Sequence, residues 1–341
     1  METKIWATTE LDQAAKALKQ GRLVAFPTET VYGLGADAFN ENAVNKVYAA
    51  KGRPSDNPLI VHVASPETVE QYAVVDERAR KLMTAFWPGP LTIILPVRPN
   101  TVSMTVTGGM QTVASRMPDN QVTLDLIQKV GSPLVGPSAN LSGKPSPTTA
   151  LHVYHDLHGK IAGVVDNGST RIGVESTVID LSVATPAILR PGKITGAQIE
   201  AVLGETVDSG EHHVKADEAP KAPGMKYRHY APDKAVYIVN ADDWTQAIIW
   251  AQGQLEPVGL MMPDQLIEIH QLAGMDFVWS LGDNGDSAAA KLFAGLRNFD
   301  DRKDVQTILV AAMPDLPGNA AYNNRLGKAA GGQYFDVEEF M

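Results

Sequence analysis

Lys51 and Arg53 stand one residue apart, ahead of Pro54-Ser55-Asp56-Asn57-Pro58 and the apolar run Leu59–Val63. Side chains two positions apart on an extended segment face the same way, so the two cations are expected to aim at one target. Lysine supplies a compact point charge, and arginine a planar fork of donors that matches phosphate or carboxylate oxygens. The prolines at 54 and 58 favour an extended path over a helical one. On residue type alone, the segment serves equally as a solvated basic turn between a helix and a strand.

Three further stretches carry polar groups of the same kind. Pro27-Thr28-Glu29-Thr30-Val31-Tyr32-Gly33-Leu34-Gly35 follows the apolar run Leu23–Phe26. Gly136-Pro137-Ser138-Ala139-Asn140-Leu141-Ser142-Gly143 follows Pro133–Val135, and Gly173-Val174-Glu175-Ser176 leads into Thr177–Leu181. Each sets hydroxyls, an amide or glycines beside a predicted buried strand, where open α/β sheets place ligands. Gly33-Leu34-Gly35-Ala36-Asp37-Ala38 fits a loose dinucleotide pattern. However, Pro27–Thr30 separates it from the strand, whereas that fingerprint needs its glycines at the strand–helix turn. No G-x-x-x-x-G-K-[ST] occurs. The run Gly136–Asn140 misses the nucleophile elbow at its last position and no triad is assignable, so Ser138 reads as a hydroxyl donor. What remains is a pocket of cations and hydroxyls, suited to phosphoryl or nucleotidyl transfer, where catalysis is mostly positioning and charge stabilisation.

In this order, the four segments closely resemble the YrdC/YciO family, in particular its two-domain threonylcarbamoyl-AMP synthases, over about residues 8–232. The resemblance implies that L-threonine, bicarbonate or CO2, and ATP become threonylcarbamoyl-AMP and pyrophosphate. The threonine amine would capture the carbon as a carbamate, whose oxygen attacks the α-phosphorus. Later transfer to tRNA adenosine beside the anticodon would belong to partner proteins. Carried over by resemblance, Thr30, His62, Arg116 and Ser176 surround threonine and Gly136 contributes backbone. Arg116 suits the carboxylate, and hydroxyls suit the amino acid's own OH and amine. Lys51 and Arg53 are the catalytic pair on the phosphates; Asn57, Thr112, Ser138, Asn140, Ser146 and Arg190 complete the nucleotide side. Mg2+ is expected with ATP, held mostly by phosphates and waters, with no protein ligand assigned. On residue type alone, Thr30 and Thr112 also serve as strand residues, His62 as a core histidine, and Arg190 as a cap on the preceding strand.

The elements that must position these groups are legible from periodicity. A helix is expected from about 9 to 20, with Leu11, Ala14, Ala15 and Leu18 on one face, then strand Leu23–Phe26. Helices follow at about 41–50, at Asp76–Trp87 and at about 120–130, among strands Leu59–Val63, Leu91–Val97, Thr112–Arg116 and Pro133–Val135. Further strands are Ile161–Val165, Thr177–Leu181 and Ala187–Arg190, and Thr195-Gly196-Ala197-Gln198 is a capping-box helix start. The expected fold class is α/β: a YrdC-like twisted mixed sheet with flanking helices, followed by a small Rossmann-like parallel α/β domain. The second domain rests on strands Val236–Val239, Val258–Met261 and Thr307–Ala311 with helices at about 242–253, 286–299 and Asn319–Ala330.

Domain bounds are expected at 1–204, with a linker at 205–234 and the C-terminal domain at 235–341. Lys226-Tyr227-Arg228-His229-Tyr230 forms a basic-aromatic island in the linker. It reads either as a passive tether whose tyrosines pack, or, by resemblance, as a flap with Tyr227 against the nucleotide, excluding water from a hydrolysable intermediate.

The 341 residues suit two domains, and 44% hydrophobic with 20% charged residues marks a globular chain. With no cysteine, thiol nucleophiles, disulfides and cysteine-ligated metals are excluded. His152, His155 and His158 repeat every third position, which reads as a helix surface before it reads as a metal site. No apolar run reaches the roughly 18 residues a membrane span needs, and the N-terminus lacks a signal-peptide pattern, so a cytoplasmic, membrane-independent protein is expected. Net charge is −10, and residues 1–200 balance 18 Lys and Arg against 18 Asp and Glu, so the whole excess lies beyond them. That distribution counts against the rival reading, a non-catalytic protein binding double-stranded RNA or tRNA through its phosphates. A carbamoyltransferase acting on another small molecule is the third reading, separated only by pocket shape.

Overall fold

The computed structural model describes residues 2–210, 221 and 229–340. They divide into one unit of Met1–Ser142, Ser146–Arg171 and Glu175–Tyr227, and another of Gly143–Pro145, Ile172–Val174 and Arg228–Met341.

The first unit begins with β1 (Lys4–Ala7), α1 (Leu11–Lys19), β2 (Val24–Phe26) and β3 (Gly33–Asp37). It continues through α2 (Glu41–Lys51), β4 (Ile60–His62), α3 (Glu77–Phe86), β5 (Leu91–Pro96), α4 (Met104–Thr107) and β6 (Thr112–Arg116). Then come α5 (Gln121–Val130), β7 (Leu134–Val135), α6 (Ala150–Leu157), β8 (Gly163–Asp166), β9 (Thr177–Asp180), β10 (Ala187–Arg190) and α7 (Gly196–Leu203). The strands form one mixed sheet in the order β1-β8-β2-β3-β7-β4-β6-β5-β9-β10. Short polar side chains start the helices: Asn40, Asp76, Asn120 and Thr149 each accept from a backbone N–H three residues on. Thr195 and Gln198 form the expected capping box on α7.

Both sheet faces are covered, which is why its strands read as apolar runs rather than alternations. Val44, Val47 and Tyr48 of α2 and Leu82 of α3 join Leu34, Val61, Ile93 and Val135 in one core. Leu18 of α1 and Leu126 and Ile127 of α5 pack with Val24, Phe26 and Val165 in another.

Two expectations are corrected here. Lys51 is the last residue of α2, and Gly52 caps the helix in the left-handed region at φ 62°, so Lys51 and Arg53 do not share an extended segment. Gly33–Asp37, to which the sequence pattern assigned no element, is strand β3 and pairs antiparallel with both β2 and β7. Residues 205–210 are also not a free linker start: Val207 is buried, and Asp208 N–H donates to Pro186 O at 2.8 Å. Tyr227, with Lys226 and Arg228, lies outside the described residues.

The second unit holds β11 (Ala235–Val239), α8 (Trp244–Gln252), β12 (Gly259–Met262), α9 (Asp264–Ile269), β13 (Val278–Ser280), α10 (Gly285–Asp300), β14 (Thr307–Ala311), α11 (Ala320–Ala329) and α12 (Val337–Phe340). Its four strands are all parallel, in the order β11-β14-β12-β13. Helix α10 buries Leu292, Phe293, Leu296 and Phe299. Tyr230 stacks on Phe293 at 5.3 Å between centroids, under the Arg325 guanidinium at 5.8 Å. The stretch Gly143–Pro145 is tied into this unit. Lys144 pairs with Asp233 and Asp300, and Arg297 donates to Pro145 O at 2.6 Å. Among the described residues, no helix is long and apolar enough to cross a membrane.

Candidate active site

Sheet register gathers the polar groups at two ends of the central strands. Parallel pairing of β4 and β6 sets His62 beside Arg116 at their C-terminal ends. Thr112 stands at the other end of β6, opposite Pro96, where the chain enters β4 from Arg53–Pro58. Thr112 and Arg116 therefore do not meet.

At the C-terminal end, Arg116 is 4% exposed. Its Nε donates to Gly89 O at 3.2 Å, its Nη1 to Thr30 Oγ1 at 2.8 Å, and its Nη2 lies 2.6 Å from Glu29 Oε2. Thr28 Oγ1 lies 2.8 Å from Thr30 Oγ1 and accepts from the Thr30 and Val31 N–H groups, an ST-turn that fixes both hydroxyls. His62 stands against the Phe26 ring at 5.4 Å, edge to face, and its Nδ1 is buried without a hydrogen-bond partner among the described residues. Burial, and then the nearby Arg116 charge, lowers its pKa from 6.5 to about 3, so the ring is neutral. A Cβ on Gly136 would stand 2.6 Å from Phe26 Cζ and 2.7 Å from His62 Nδ1, so glycine is required for this approach.

Ser176, just before β9, is also buried. Its Oγ lies 2.7 Å from Thr92 Oγ1 and 3.2 Å from Arg190 Nη2, while Arg190 Nε donates to Ser176 O at 3.1 Å. Arg190, assigned to the nucleotide side, thus touches Ser176, assigned to the threonine side. Ser146 Oγ donates to the buried Glu175 Oε1.

The cations at the other end go to separate partners. Lys51 Nζ, carried on the end of α2, donates to Ser138 O and Asn140 O at 2.5 Å each. Ser138 Oγ in turn donates to Asn140 Oδ1 at 2.6 Å. Arg53 folds back on its own loop, with Nε to Asn57 O at 3.1 Å and Nη2 to Asn57 Oδ1 at 2.6 Å and Pro58 O at 2.9 Å. The site therefore offers four fixed cations, Arg116, Arg190, Lys51 and Arg53, and two hydroxyl clusters: charge for anionic oxygens and donors for a small polar substrate.

Thr28, Glu29, Thr92 and Glu175 are site residues to which sequence reasoning gave no part. The available signal was an acid or hydroxyl inside stretches flanked by apolar residues. Among the described residues no three His, Asp or Glu gather to hold an ion, at His152, His155 and His158 or elsewhere.

A family model described as telomere recombination, the Sua5/YciO/YrdC model, matches residues 16–192. A second, the threonylcarbamoyl-AMP synthase C-terminal domain, matches residues 194–331. The chain is 48% identical to threonylcarbamoyl-AMP synthase of Bacillus subtilis, covering 98% of this chain and 99% of that protein. It is 45% identical to the enzyme of that name from Pyrococcus abyssi, covering 93% of each. The structure of P. abyssi Sua5 complexed with L-threonine superposes with a TM-score of 0.87 at 42% identity, over 98% of this chain and 99% of that one. Escherichia coli YciO, at 22% identity and a TM-score of 0.51 over 56% of this chain, shows the fold alone. Matched along nearly its whole length in both domains, the chain belongs to the Sua5/YciO/YrdC family, in its two-domain form.

Proposed function

We infer that this chain is a nucleotidyltransferase that forms threonylcarbamoyl-AMP from L-threonine, bicarbonate or CO2, and ATP, releasing pyrophosphate for threonylcarbamoyladenosine modification of tRNA. The observation that carries this reading is the full-length match to two enzymes named for that product. The same match disfavours a non-catalytic RNA-binding role.

The site supports a division of labour. Arg116, Thr30, Ser176, His62 and the backbone at Gly136 serve threonine, with the guanidinium on the carboxylate and the hydroxyls within reach of the side-chain OH. Lys51 and Arg53 serve the phosphates, with Asn57, Thr112, Ser138 and Asn140 around the nucleotide. Arg53 and Lys51 are already held by carbonyl oxygens, so their charge is in place before substrate arrives and little reorganisation is needed. The contact of Arg190 with Ser176 supports a reading in which the carbamate oxygen and the α-phosphorus meet beside this pair. Ser146 and Tyr227 complete the nucleotide side in this proposal. Mg2+ would travel with ATP on phosphates and waters, since no acidic cluster among the described residues offers it a cage. Downstream transfer proteins and tRNA act on the released product, and a cytoplasmic site of action is proposed with them.

Pyrophosphate release, measured with ATP alone and with each co-substrate added, tests the reading. Release should require threonine and bicarbonate together, because the carbamate must exist before it attacks phosphorus. Equal release with ATP alone would make the chain a plain pyrophosphohydrolase.

A further inference from the structure

Glu29 sits inside the threonine pocket and has no part in the division of labour above. The residue is 2% exposed, and neither of its carboxylate oxygens accepts a hydrogen bond among the described residues. Arg116 Nη2 lies 2.6 Å from Oε2, yet that nitrogen also makes no hydrogen bond, so the contact is charge without the alignment a hydrogen bond needs. The other guanidinium nitrogens are already committed to Gly89 O and Thr30 Oγ1.

A carboxylate that only accepts and a guanidinium nitrogen that only donates are thus both buried and both short of partners. Leaving a buried polar group without its hydrogen bonds is costly, and more so when the group is charged. One class of ligand relieves both at once: it must bring anionic acceptors to Nη2 and cationic N–H donors to Glu29. An α-amino acid in its zwitterionic form carries both, one carbon apart.

We propose that Glu29 receives the α-ammonium of the amino-acid substrate while Arg116 takes its carboxylate, so that the pair reads the zwitterion from both ends. This rests on the reading of the pocket as a threonine site. It assigns the amine to a carboxylate rather than to the hydroxyls, and leaves Thr30 to the side-chain OH, since the Thr28 hydroxyl is already taken up by Val31 O and the Thr30 and Val31 N–H groups. The nitrogen that must capture the carbon is then fixed by a charge-assisted contact. A hydroxy acid without the ammonium would leave Glu29 still without a hydrogen-bond donor and facing a second carboxylate. Sites built to pair a buried polar group reject analogues that lack the partner.

The test is calorimetric titration of the full chain with L-threonine and with 3-hydroxybutyrate, which keeps the carboxylate and hydroxyl but lacks the ammonium. The native chain should prefer threonine by about 100-fold or more. In Glu29→Gln, threonine affinity should fall by about 100-fold while 3-hydroxybutyrate changes by no more than about threefold, so the preference collapses. Glu29→Asp, which keeps the charge on a shorter arm, should retain a weakened preference; circular dichroism checks the fold of both. If Glu29 only steadies Arg116, both ligands weaken together in either variant, and the proposal is overturned. Equal affinity of the native chain for the two ligands overturns it without any variant. Failure of the native chain to bind threonine at all removes the underlying pocket reading, a distinguishable result.

Discussion

Burial holds the His62 ring neutral: out of water and near the Arg116 guanidinium, its pKa drops from 6.5 to about 3. In the unfolded chain the same ring titrates near its ordinary value. Between about pH 6.5 and pH 3 the unfolded state therefore binds a proton that the folded state refuses, and stability falls as pH falls through that window. Replacing His62 with Gln should remove this contribution, making stability less steep in pH by up to about 1.4 kcal/mol per unit. Denaturant unfolding of both proteins at pH 7, 6, 5 and 4 measures the slopes, and parallel slopes would show that His62 is not held neutral by the fold. Residue types announced much of this site, since cations, hydroxyls and glycines in runs bounded by apolar strands are visible without coordinates. Their pairings were not. Glu29 and Arg116 lie far apart in sequence, and only sheet register brings them to 2.6 Å. Lys51 and Arg53 look like one device in sequence but are separated by a helix cap, so each takes its own set of carbonyls.

Strands β2 and β3 meet at the Phe26 ring, and the geometry there explains why β3 escaped a pattern search. Phe26 lies directly opposite Gly33 in the antiparallel pair. A Cβ on Gly33 would stand 2.8 Å from Phe26 Cζ, and one on Gly35 would stand 3.0 Å from Phe26 Cδ1. Glycine weakens a strand intrinsically and marks a loop to any propensity scale, yet here it makes room for an aromatic ring that also contacts His62. The apolar strands, by contrast, were legible to within a residue or two; Thr112–Arg116 and Ala187–Arg190 match their expected spans. Gly33→Ala should cost about 1–3 kcal/mol through overpacking. In a Phe26→Leu background the same substitution should cost less than about 1 kcal/mol, a coupling that a double-mutant cycle of unfolding free energies detects. Additive costs would mean that the ring is not the obstacle.

The division of the whole chain differs from its apparent sequence boundaries in a way that bears on function. Thr30, His62, Arg116, Gly136 and Ser176 all belong to the first unit, whose cores are built from its own residues. A cut at 204 looks natural because Gly204 ends α7. It would nonetheless remove Val207 from the core and the bridge between Ala187 and Asp208. A fragment of residues 1–227 should therefore fold cooperatively, while one ending at 204 should be less stable by about 2 kcal/mol or more, the scale of a lost buried aliphatic side chain. The second unit includes Gly143–Pro145 and Ile172–Val174, stretches that lead directly into Ser146 and Glu175-Ser176. Gly173 has φ 78°, and a Cβ there would run into the backbone of α10 at Ala289 and Ala290, so this stretch is closely fitted to residues the fragment lacks. Without them the stretch ahead of Glu175 and Ser176 loses its packing, although both residues keep their partners Ser146, Thr92 and Arg190. The 1–227 fragment should keep its fold but bind threonine about tenfold more weakly, through the increased entropy cost of ordering that stretch. Thermal unfolding and threonine titration of the full chain and both fragments measure this. Threonine affinity equal to that of the full chain would show that the second unit does nothing to hold the site.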